Sequence, residues 1–547
     1  MFTDHLLPIS AFALYAETHF RFFRFFPSVI FRSEPEIVFD LPRRLAPGKD
    51  LPVTLIINDI DRFPCELSHV SVSVSYTGTP PALFTFDDPG AHAVSHPLQR
   101  QSAVYLFTIK RTALKTGCAF VNCKAVVRRG GAAIEVLNDN LVTASARPYC
   151  CLVTDAFLPG QERCSYGDLH VHSQFSQSHV EFGPPVSVIQ TAAGAFGLDF
   201  LSITDHSYDL ACDIGNYLAL DAGRRRWELS CGETGRLRGS RPIVLQGEEV
   251  SCRNRSGLVV HLCGAGQRQY VPGSRDGARL WFRQEPDLTV EQAALNIAEQ
   301  HGLSFAAHPG SRVGLLQRLL LGRGAWRNQD VTGRLDGLQA LNSGFTRSWV
   351  RAKRLWLAAL RRGMRLTLVG GNDPHGDFNR YRSIRKPFLM VTENFDRYLG
   401  FGRTGVYGRP ENEAGVIEAL RLGRTFVTTG PFIGLYRDSG CTEPAVGKPD
   451  LPIDTETKLR LVVESSPETG ALQVVTVNAW YAGCVEEIRL FSRTFTESCH
   501  RFIQEVDPGL IPAGARGYIR AEALCVQGGT APEACQAATS PCYFVKT

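Results

Sequence analysis

The sequence contains no uninterrupted apolar run close to the roughly 18 residues that a membrane-spanning helix requires. It also lacks a marked charge imbalance, because 59 Lys and Arg residues oppose 54 Asp and Glu residues and leave a net charge of +5 over 547 residues. No basic stripe interleaved with aromatic side chains is present, although that pattern is typical of proteins that bind single-stranded nucleic acid. We therefore expect no membrane span and no nucleic-acid partner.

Several motifs that define common enzyme classes are also missing. There is no G-x-x-x-x-G-K-[ST] phosphate loop, no G-x-S-x-G nucleophile elbow and no H-E-x-x-H helix. No C-x-x-C pair occurs, and 16 cysteines are too few for a disulfide scaffold in a chain of 547 residues. The first residues include Asp4 and His5 but not the basic region of a secretory signal, so the sequence predicts a cytoplasmic protein with reduced cysteines.

Changes in the residue pattern along the chain divide it into four predicted regions. These are an aromatic-rich N-terminal segment, a β-sandwich-like domain, a domain that alternates helix and strand, and a C-terminal β domain, at residues 1–33, 34–155, 160–435 and 450–547 respectively. In the third region a helix is predicted from Val186 to Phe196, and the apolar segment 200–203 follows it as a strand. Such alternation predicts an α/β fold with a parallel sheet or barrel in this region.

Histidines and acidic residues follow the apolar segments of the α/β region in a recurring way. Eight of the 14 histidines lie between His170 and His375. His170 and His172 form an H-x-H pair, and alternate residues of a strand point to the same face, so both imidazoles can reach one ion. Polar residues close the later strands as well: Asp205, His206, Glu248, Glu249, His261, His308, Asp373 and His375. In a parallel β/α barrel these strand ends meet at one rim.

This set of imidazoles and carboxylates predicts a metal centre. A single buried histidine is usually a hydrogen-bonded core residue, but six histidines, two aspartates and a glutamate at one rim would bury many uncompensated polar groups. Divalent cations remove that cost, and zinc, manganese and iron accept this mixture of ligands. Arg312 and Arg380 lie near the predicted rim in sequence, where they could bind an anionic group, and an ordinary surface position explains them equally well.

Four ordered motifs resemble those of PHP-domain metallohydrolases, the polymerase and histidinol phosphatase family. They are the segments 167–173 (GDLHVHS), 204–206 (TDH), 308–309 (HP) and 373–375 (DPH). The resemblance covers residues 165–430, about half of the chain, and implies a distorted seven-stranded, TIM-like β/α barrel that holds two or three divalent metal ions. The segment 419–431 is also similar to a subgroup that includes carbaryl and phthalate-monoester hydrolases.

The resemblance implies ligands for three ions. His170, His172 and Asp373 would hold the first ion. Glu249 would bridge the first ion to the second, which His261 and His308 would also hold, and His206 and His375 would hold the third. Glu249 is preferred to Glu248 because the family places a glycine two residues before its glutamate, as Gly247 is here. The chain departs from the family at 176–179, where an Asp or His usually completes the third site. His179 lies one position late and is kept as a candidate ligand.

The predicted activity is that of a metal-dependent hydrolase in which metal-bound hydroxide attacks the substrate. Glu249, His206 and Asp373 are the predicted catalytic residues, and His206 or His179 would protonate the leaving group if the third ion is missing. The expected substrate is a small anionic or ester molecule, in the first place a phosphomonoester or phosphodiester. A carboxylic ester, amide or carbamate hydrolase with the same centre is one alternative, and a non-catalytic module stapled by metal is another. The sequence leaves the oligomeric state open.

Overall fold

The computed structural model describes the chain in ten ranges: residues 34–140, 147–176, 182–216, 219–279, 285–379, 383–386, 389–392, 397–437, 440–526 and 534–547. The predicted aromatic segment 1–33 lies outside these ranges. Within them the chain forms 29 strands and seven α-helices. None of the helices in these ranges combines the length and the apolar character that crossing a bilayer requires.

The N-terminal region consists of two sheets that share one core. Its strands are β1 (Glu36–Asp40), β2 (Arg44–Leu45), β3 (Leu51–Asn58), β4 (Glu66–Ser75), β5 (Ala82–Phe86), β6 (Ser102–Ile109), β7 (Gly117–Arg129), β8 (Ala132–Leu137) and β9 (Tyr149–Val153). One sheet has the order β1-β3-β6, and the other has the order β2-β9-β7-β4-β5 with β8 paired to β7. Alternate residues of β4, such as Val70 and Val72, are buried against Val53 and Leu55 of the first sheet.

The middle of the chain contains all seven helices. Its strands are β10 (Cys164–Val171), β11 (Phe200–Ile203), β12 (Ile243–Arg253), β13 (Val259–Ala265), β14 (Leu303–Ala306), β15 (Gly337–Asn342), β16 (Thr367–Gly371), β17 (Ser383–Lys386), β18 (Leu389–Thr392), β19 (Arg403–Tyr407) and β20 (Thr425–Thr428). Its helices are α1 (Val186–Phe196), α2 (Ser207–Leu210), α3 (Arg225–Arg236), α4 (Val290–Glu299), α5 (Leu315–Leu321), α6 (Arg347–Arg361) and α7 (Glu413–Arg421).

The C-terminal part of the chain is again built from strands. They are β21 (Phe432–Tyr436), β22 (Gly447–Ile453), β23 (Leu459–Glu464), β24 (Ala471–Tyr481), β25 (Ile488–Thr494), β26 (Arg501–Val506), β27 (Arg516–Val526), β28 (Ala534–Thr539) and β29 (Cys542–Lys546). Strands β21, β23 and β26 form a small sheet. The others extend the large central sheet, because β20 pairs with β28 in an antiparallel register that sets Phe426 opposite Thr539.

The predicted α/β fold with a seven-stranded, TIM-like β/α barrel is wrong. The described residues are mostly β, with 41% in strands and 16% in helices, and the large sheet is mixed and near-closed. Strand β13 is antiparallel to both of its neighbours, β12 and β14. A hairpin from Arg253 to Val259 needs no helical crossover, so the regular alternation of helix and strand that the barrel requires is lost at this point.

Two parts of the large sheet that are distant in sequence meet where β16 returns to β10. The backbone N–H of Asp373 donates to the carbonyl of His170 at 2.9 Å, and the N–H of His172 donates to the carbonyl of Pro374 at 3.0 Å. Gly371 permits this approach, because a Cβ there would lie only 2.7 Å from the Cβ of His170. The two histidine motifs at 170–172 and 373–375 are thereby held side by side.

Local sequence signals place the helices correctly. Helix α1 spans the predicted residues Val186–Phe196 and ends at Gly197, whose φ of 106° is left-handed. Helix α4 begins after Thr289, whose side chain accepts from the N–H of Gln292 while the Gln292 side chain caps the N-terminus in return. These helices cover the outside of the central strands and leave the strand ends open to carry the candidate site.

Candidate metal centre

The carboxylate of Glu249, near the middle of β12, is surrounded by five imidazoles. The separations from its oxygens are 2.7 Å to His206 Nδ1, 2.7 Å to His261 Nδ1, 3.0 Å to His308 Nε2, and 3.5 Å to Nε2 of both His170 and His172. Glu249 itself is 1% exposed. The five histidines come from four different parts of the chain. The fold therefore brings imidazoles that are distant in sequence together around one carboxylate.

The remaining predicted ligands extend this cluster on the side of β16. Asp373 Oδ1 lies 3.0 Å from His172 Nε2 and 3.4 Å from His170 Nε2. His375 stacks on His172 with ring centroids 4.0 Å apart, and its Nε2 is 3.2 Å from Nε2 of His206. All eight predicted ligands within the described residues are therefore neighbours.

His261 reaches the same rim although it lies on a reversed strand. It is near the start of β13, which is antiparallel to β12, so its beginning lies beside the far end of β12. His206 follows β11, His308 follows β14 and Asp373 follows β16, each at the carboxyl end of its strand. The rim predicted for a parallel barrel is thus present in a sheet that is not parallel.

The donor set fits divalent cations. Three groups of residues bring ligand atoms within 4.8 Å of one another: His170, His172, Glu249 and Asp373; His206, Glu249 and His261; His172, His206 and His375. Nε2 of His170 lies 3.1 Å from Nε2 of His172, so the two ring nitrogens face one region. Oε2 of Glu249 is buried and forms no hydrogen bond with any described residue. Buried His, Glu and Asp groups here could hold metal ions.

Hydrogen bonds from outside the cluster orient two of the histidines. Gln339 on β15 places its Oε1 2.8 Å from Nδ1 of His170 and also accepts the backbone N–H of His308 at 3.2 Å. Ser176 Oγ lies 2.9 Å from Nδ1 of His172. With both Nδ1 atoms engaged in this way, the Nε2 atoms of His170 and His172 are left to face the cluster.

Asp205 and Asn372 fix the chain segments that carry the neighbouring candidate ligands. The carboxylate of Asp205 accepts the backbone N–H of Ser173 at 2.7 Å and that of Ser176 at 3.1 Å, so it shapes the loop after His172. Asn372 donates from Nδ2 to Asp168 Oδ2 at 2.6 Å, which ties the residue before Asp373 to β10. Burial raises the pKa of Asp168 to about 6.

The backbone is held in unusual conformations at two of the ligands. His308 has a φ of 30° and Asp373 has a φ of 56°, both in the left-handed region that residues with a Cβ rarely adopt. Residues in such conformations persist only where the surroundings over-determine them, and they concentrate at functional sites. The strain therefore supports a functional role for this rim.

Burial and neighbouring charges shift the pKa values of the buried carboxylates in opposite directions. Burial raises the pKa of Glu249, but the positive charge on His261 and the other imidazoles outweighs it and holds that pKa well below its usual range. For Asp373 the effect of burial is outweighed chiefly by Arg397, and its pKa is also well below the usual range. Burial lowers the pKa of His172 well below its ordinary value. Ionised carboxylates beside a neutral imidazole are the forms that bind cations.

Glu248 occupies a different environment from Glu249. It points to the other face of β12, where its Oε2 accepts from Nε2 of Gln267 and from the N–H of Val271, both at 3.0 Å. Burial raises the pKa of Glu248 well above its usual range. The structure thus places Glu249, the preferred residue of the two, among the imidazoles.

Three charged residues at the cluster were missed by the sequence analysis. Asp276 Oδ2 lies 3.4 Å from Nε2 of His261, and Arg323 pairs with Asp276 at 3.1 Å while also contacting His261. Arg397 pairs with Oδ2 of Asp373 at 3.0 Å. No motif marks these residues, because Asp276 and Arg397 lie in irregular segments and Arg323 follows a short helix.

Other predicted residues are not part of the cluster. His179 and Arg380 lie outside the described residues, so their predicted roles stay untested. Arg312 is exposed and lies beyond His308. Cys118 and Cys150 are near each other, with Sγ atoms 2.8 Å apart, and every cysteine is a free thiol.

Comparisons with known proteins do not identify a family. No family model matches the chain, and no curated protein matches it. Among solved structures, Escherichia coli alpha-2-macroglobulin in its native conformation aligns at 7% identity and a TM-score of 0.14, over 94% of this chain and 22% of that chain. Parabacteroides merdae beta-glucuronidase aligns at 9% identity and a TM-score of 0.19, over 94% of this chain and 64% of that chain. The chain therefore spans less than two thirds of either protein, and likenesses at this level carry no argument about its fold or activity.

Proposed function

We propose that this chain is a metal-dependent hydrolase that cleaves phosphoesters. The observation that carries the proposal is Glu249, one buried carboxylate with five imidazoles within 3.5 Å. A single acid in that position can bridge two cations, and the histidines on either side of it complete two separate ligand groups. Divalent cations held there would lower the pKa of a water molecule toward about 7 and stabilise negative charge on the oxygen under attack.

The cationic side chains at the edge of the cluster favour a phosphoester over an uncharged ester. Arg397 is 34% exposed in its side chain and contacts Asp373, so its guanidinium faces both the cluster and the solvent. Arg323 contacts His261 and pairs with Asp276. Guanidinium groups match the geometry of phosphate oxygens, so these two residues would orient an anionic substrate and offset its charge.

The protein also supplies a proton carrier and a wall that excludes water. His206 has one ring nitrogen 2.7 Å from Glu249 and the other near His375, and its ring stacks on Tyr208 with centroids 4.6 Å apart. Tyr208 is 1% exposed and closes that side of the site. If no third ion binds, His206 is in this arrangement the candidate to give a proton to the leaving group.

The resemblance of four motifs to PHP-domain metallohydrolases supports the same reaction class, because those motifs contain most of the residues that meet at Glu249. The carboxylic ester, amide or carbamate alternative was based on the segment 419–431. In the structure the part from Thr425 to Thr428 is β20, a fully buried strand that packs between β19 and β28. That segment does not line the candidate site, so the phosphoester remains the preferred substrate class.

The test combines metal analysis with an activity screen on one sample. Full-length protein purified without chelators is analysed for bound metals and is then assayed on phosphomonoesters, phosphodiesters and aryl carboxylic esters. We expect two or three bound divalent ions and turnover of phosphoesters. Absence of phosphoester turnover by protein shown to carry metal would refute the proposal, and turnover of aryl esters alone would favour the carboxylic ester hydrolase.

Glu248 provides a matched control for Glu249. Glu249→Gln should lower phosphoester turnover by more than about a hundredfold, because it removes the carboxylate that links the two ligand groups. Glu248→Gln makes the same chemical change one residue away and keeps an acceptor for Gln267 and Val271, so it should retain metal and activity. Equal activity in the two variants would contradict the role of Glu249.

A further inference from the structure

A cavity of about 300 Å³ lies next to the turn that follows His308. Its walls include Pro309, Ser311, Trp326, Asn328, Arg351 and Arg354. Pro309 follows His308, and consecutive Cα atoms are about 3.8 Å apart, so one wall of the cavity begins one residue from the metal cluster. We call this cavity the arginine pocket.

Positive charge without a matching acid distinguishes the arginine pocket. Arg351 and Arg354 line it, and burial together with the charges of Arg312 and Arg347 lowers the pKa of Arg351. Within the described ranges, none of these four arginines forms an ion pair with a carboxylate. The guanidinium groups of Arg351 and Arg354 thus line one concave surface without a matching acid.

The other side chains of the arginine pocket are suited to bind an oxyanion. Ser311 and Asn328 contribute a hydroxyl and an amide that form no side-chain hydrogen bond with any described residue. Trp326 contributes an aromatic wall, and its buried indole N–H also has no hydrogen-bond partner in the described part of the chain. The pocket therefore offers several donors and no competing acid.

Helix α6 fixes the arginine pocket relative to the metal centre. Arg351 Nε donates to the carbonyl of Gly310 at 2.6 Å, and a Cβ at Gly310 would lie 2.0 Å from the carbonyl oxygen of Ser348. The turn after His308 is thus packed tightly against α6, so the pocket keeps a fixed position relative to His308.

We propose that the arginine pocket binds a second anionic group of the substrate, so that the preferred substrates are small organic phosphates with two anionic groups. The part of this inference that concerns cleavage of the first anionic group rests on the proposed hydrolase function. Binding of an anion in the arginine pocket does not depend on it. A guanidinium pair and neutral donors recognise phosphate in particular, because its tetrahedral oxygens accept several hydrogen bonds at once.

The first experiment measures binding without any reaction. Metal-depleted full-length protein is titrated with inorganic pyrophosphate by calorimetry, so that the candidate metal centre does not hold the probe through cations. We expect Arg354→Ala to weaken pyrophosphate binding about tenfold, since it removes a charged hydrogen-bond donor from the pocket wall. Arg354→Lys should recover part of the affinity. The matched control is Arg334→Ala, which removes an exposed arginine that does not line the pocket.

The second experiment measures substrate preference with metal-loaded protein. Arg354→Ala should lower the ratio of kcat/KM for a bisphosphate to kcat/KM for a monophosphate about tenfold. Unweakened pyrophosphate binding in Arg354→Ala, or equal weakening in Arg334→Ala, would overturn the proposal. If pyrophosphate binds through Arg354 but no phosphoester is turned over, the proposed function fails and the anion site stands. Turnover with an unchanged ratio would overturn the pocket's role and leave the proposed function intact.

Discussion

Glu248 and Glu249 are chemically identical neighbours, and only the alternation of β12 separates their environments. Burial raises the pKa of Glu248 well above its usual range on one face, whereas the imidazoles on the other face hold the pKa of Glu249 well below it. From the sequence, Glu249 is favoured by the family resemblance, which places a glycine two residues before the glutamate, as Gly247 is here. The eight candidate ligands of the described chain could be predicted because each one is a chemically distinctive residue close to an apolar segment.

Asp276, Arg323 and Arg397 could not be predicted in the same way. Asp276 contacts His261 only because the chain after β13 folds back over the rim, and its pKa is lowered because Arg323 outweighs the effect of burial. Nothing in the local pattern around these residues separates them from exposed acids and arginines elsewhere. Their role depends on contacts between residues that are distant in sequence, and residue types and periodicity do not predict such contacts.

Gln339 offers a test at the residue scale. Its Oε1 supports both His170 and His308, and it is 2% exposed. Gln339→Leu removes this acceptor and should lower metal affinity about 10- to 100-fold, because His170 loses the partner that fixes its ring. Gln339→Glu restores an acceptor at the same place and should recover most of the affinity. Competition of each variant with a fluorescent chelator measures the change, and an unaltered affinity in Gln339→Leu would contradict this role.

Strand β13 shows where prediction of the elements failed. Helix α1 lies at its predicted residues, because caps and apolar spacing are local signals. The direction of a strand is not a local signal. Strand β13 follows β12 after a short turn and runs antiparallel, so the expected parallel β/α barrel is replaced by a mixed sheet that continues into the C-terminal strands.

An ion pair between elements holds α6, which carries the arginine pocket, against the C-terminal strands. Glu522 on β27 pairs with Lys353 of α6 and with Arg520. Burial alone would raise the pKa of Glu522, but Arg520 and Lys353 outweigh burial and hold it at about 2. Because the carboxylate has a lower pKa in the folded protein than in the unfolded chain, its contribution is present above pH ~4.5 and is lost as the pH falls toward 2.

Glu522→Gln should therefore lower the free energy of unfolding by about 2–3 kcal/mol near neutral pH. The difference from the wild type should shrink as the pH falls from about 4.5 toward 2. Urea denaturation at a series of pH values measures both effects. Glu505→Gln changes an exposed glutamate on β26 and serves as the control, which should show almost no difference at any pH. A loss in Glu522→Gln that is independent of pH would contradict the assigned charge.

At the scale of the whole molecule, the near-closed sheet brings together residues that lie up to about two hundred positions apart, such as His172 and Asp373. Binding of cations at this rim would therefore be coupled to closure of the sheet. A cation that binds only the folded chain stabilises it by about 2.7 kcal/mol when its concentration is a hundred times its Kd.

Removing metal should lower the Tm of the wild type by several degrees, and adding zinc or manganese should restore it. Glu249→Gln should lose most of this metal-dependent difference, and a metal effect as large as that of the wild type would contradict the coupling.

Anomalous X-ray diffraction from crystals of the metal-loaded protein is the most direct measurement of whether cations occupy this rim. Data recorded at the absorption edge of the metal found by elemental analysis should show at least two peaks on either side of Glu249, one beside His170, His172 and Asp373 and the other beside His261 and His308. Peaks confined to the surface, with none among these residues in protein shown to carry metal, would contradict the central claim.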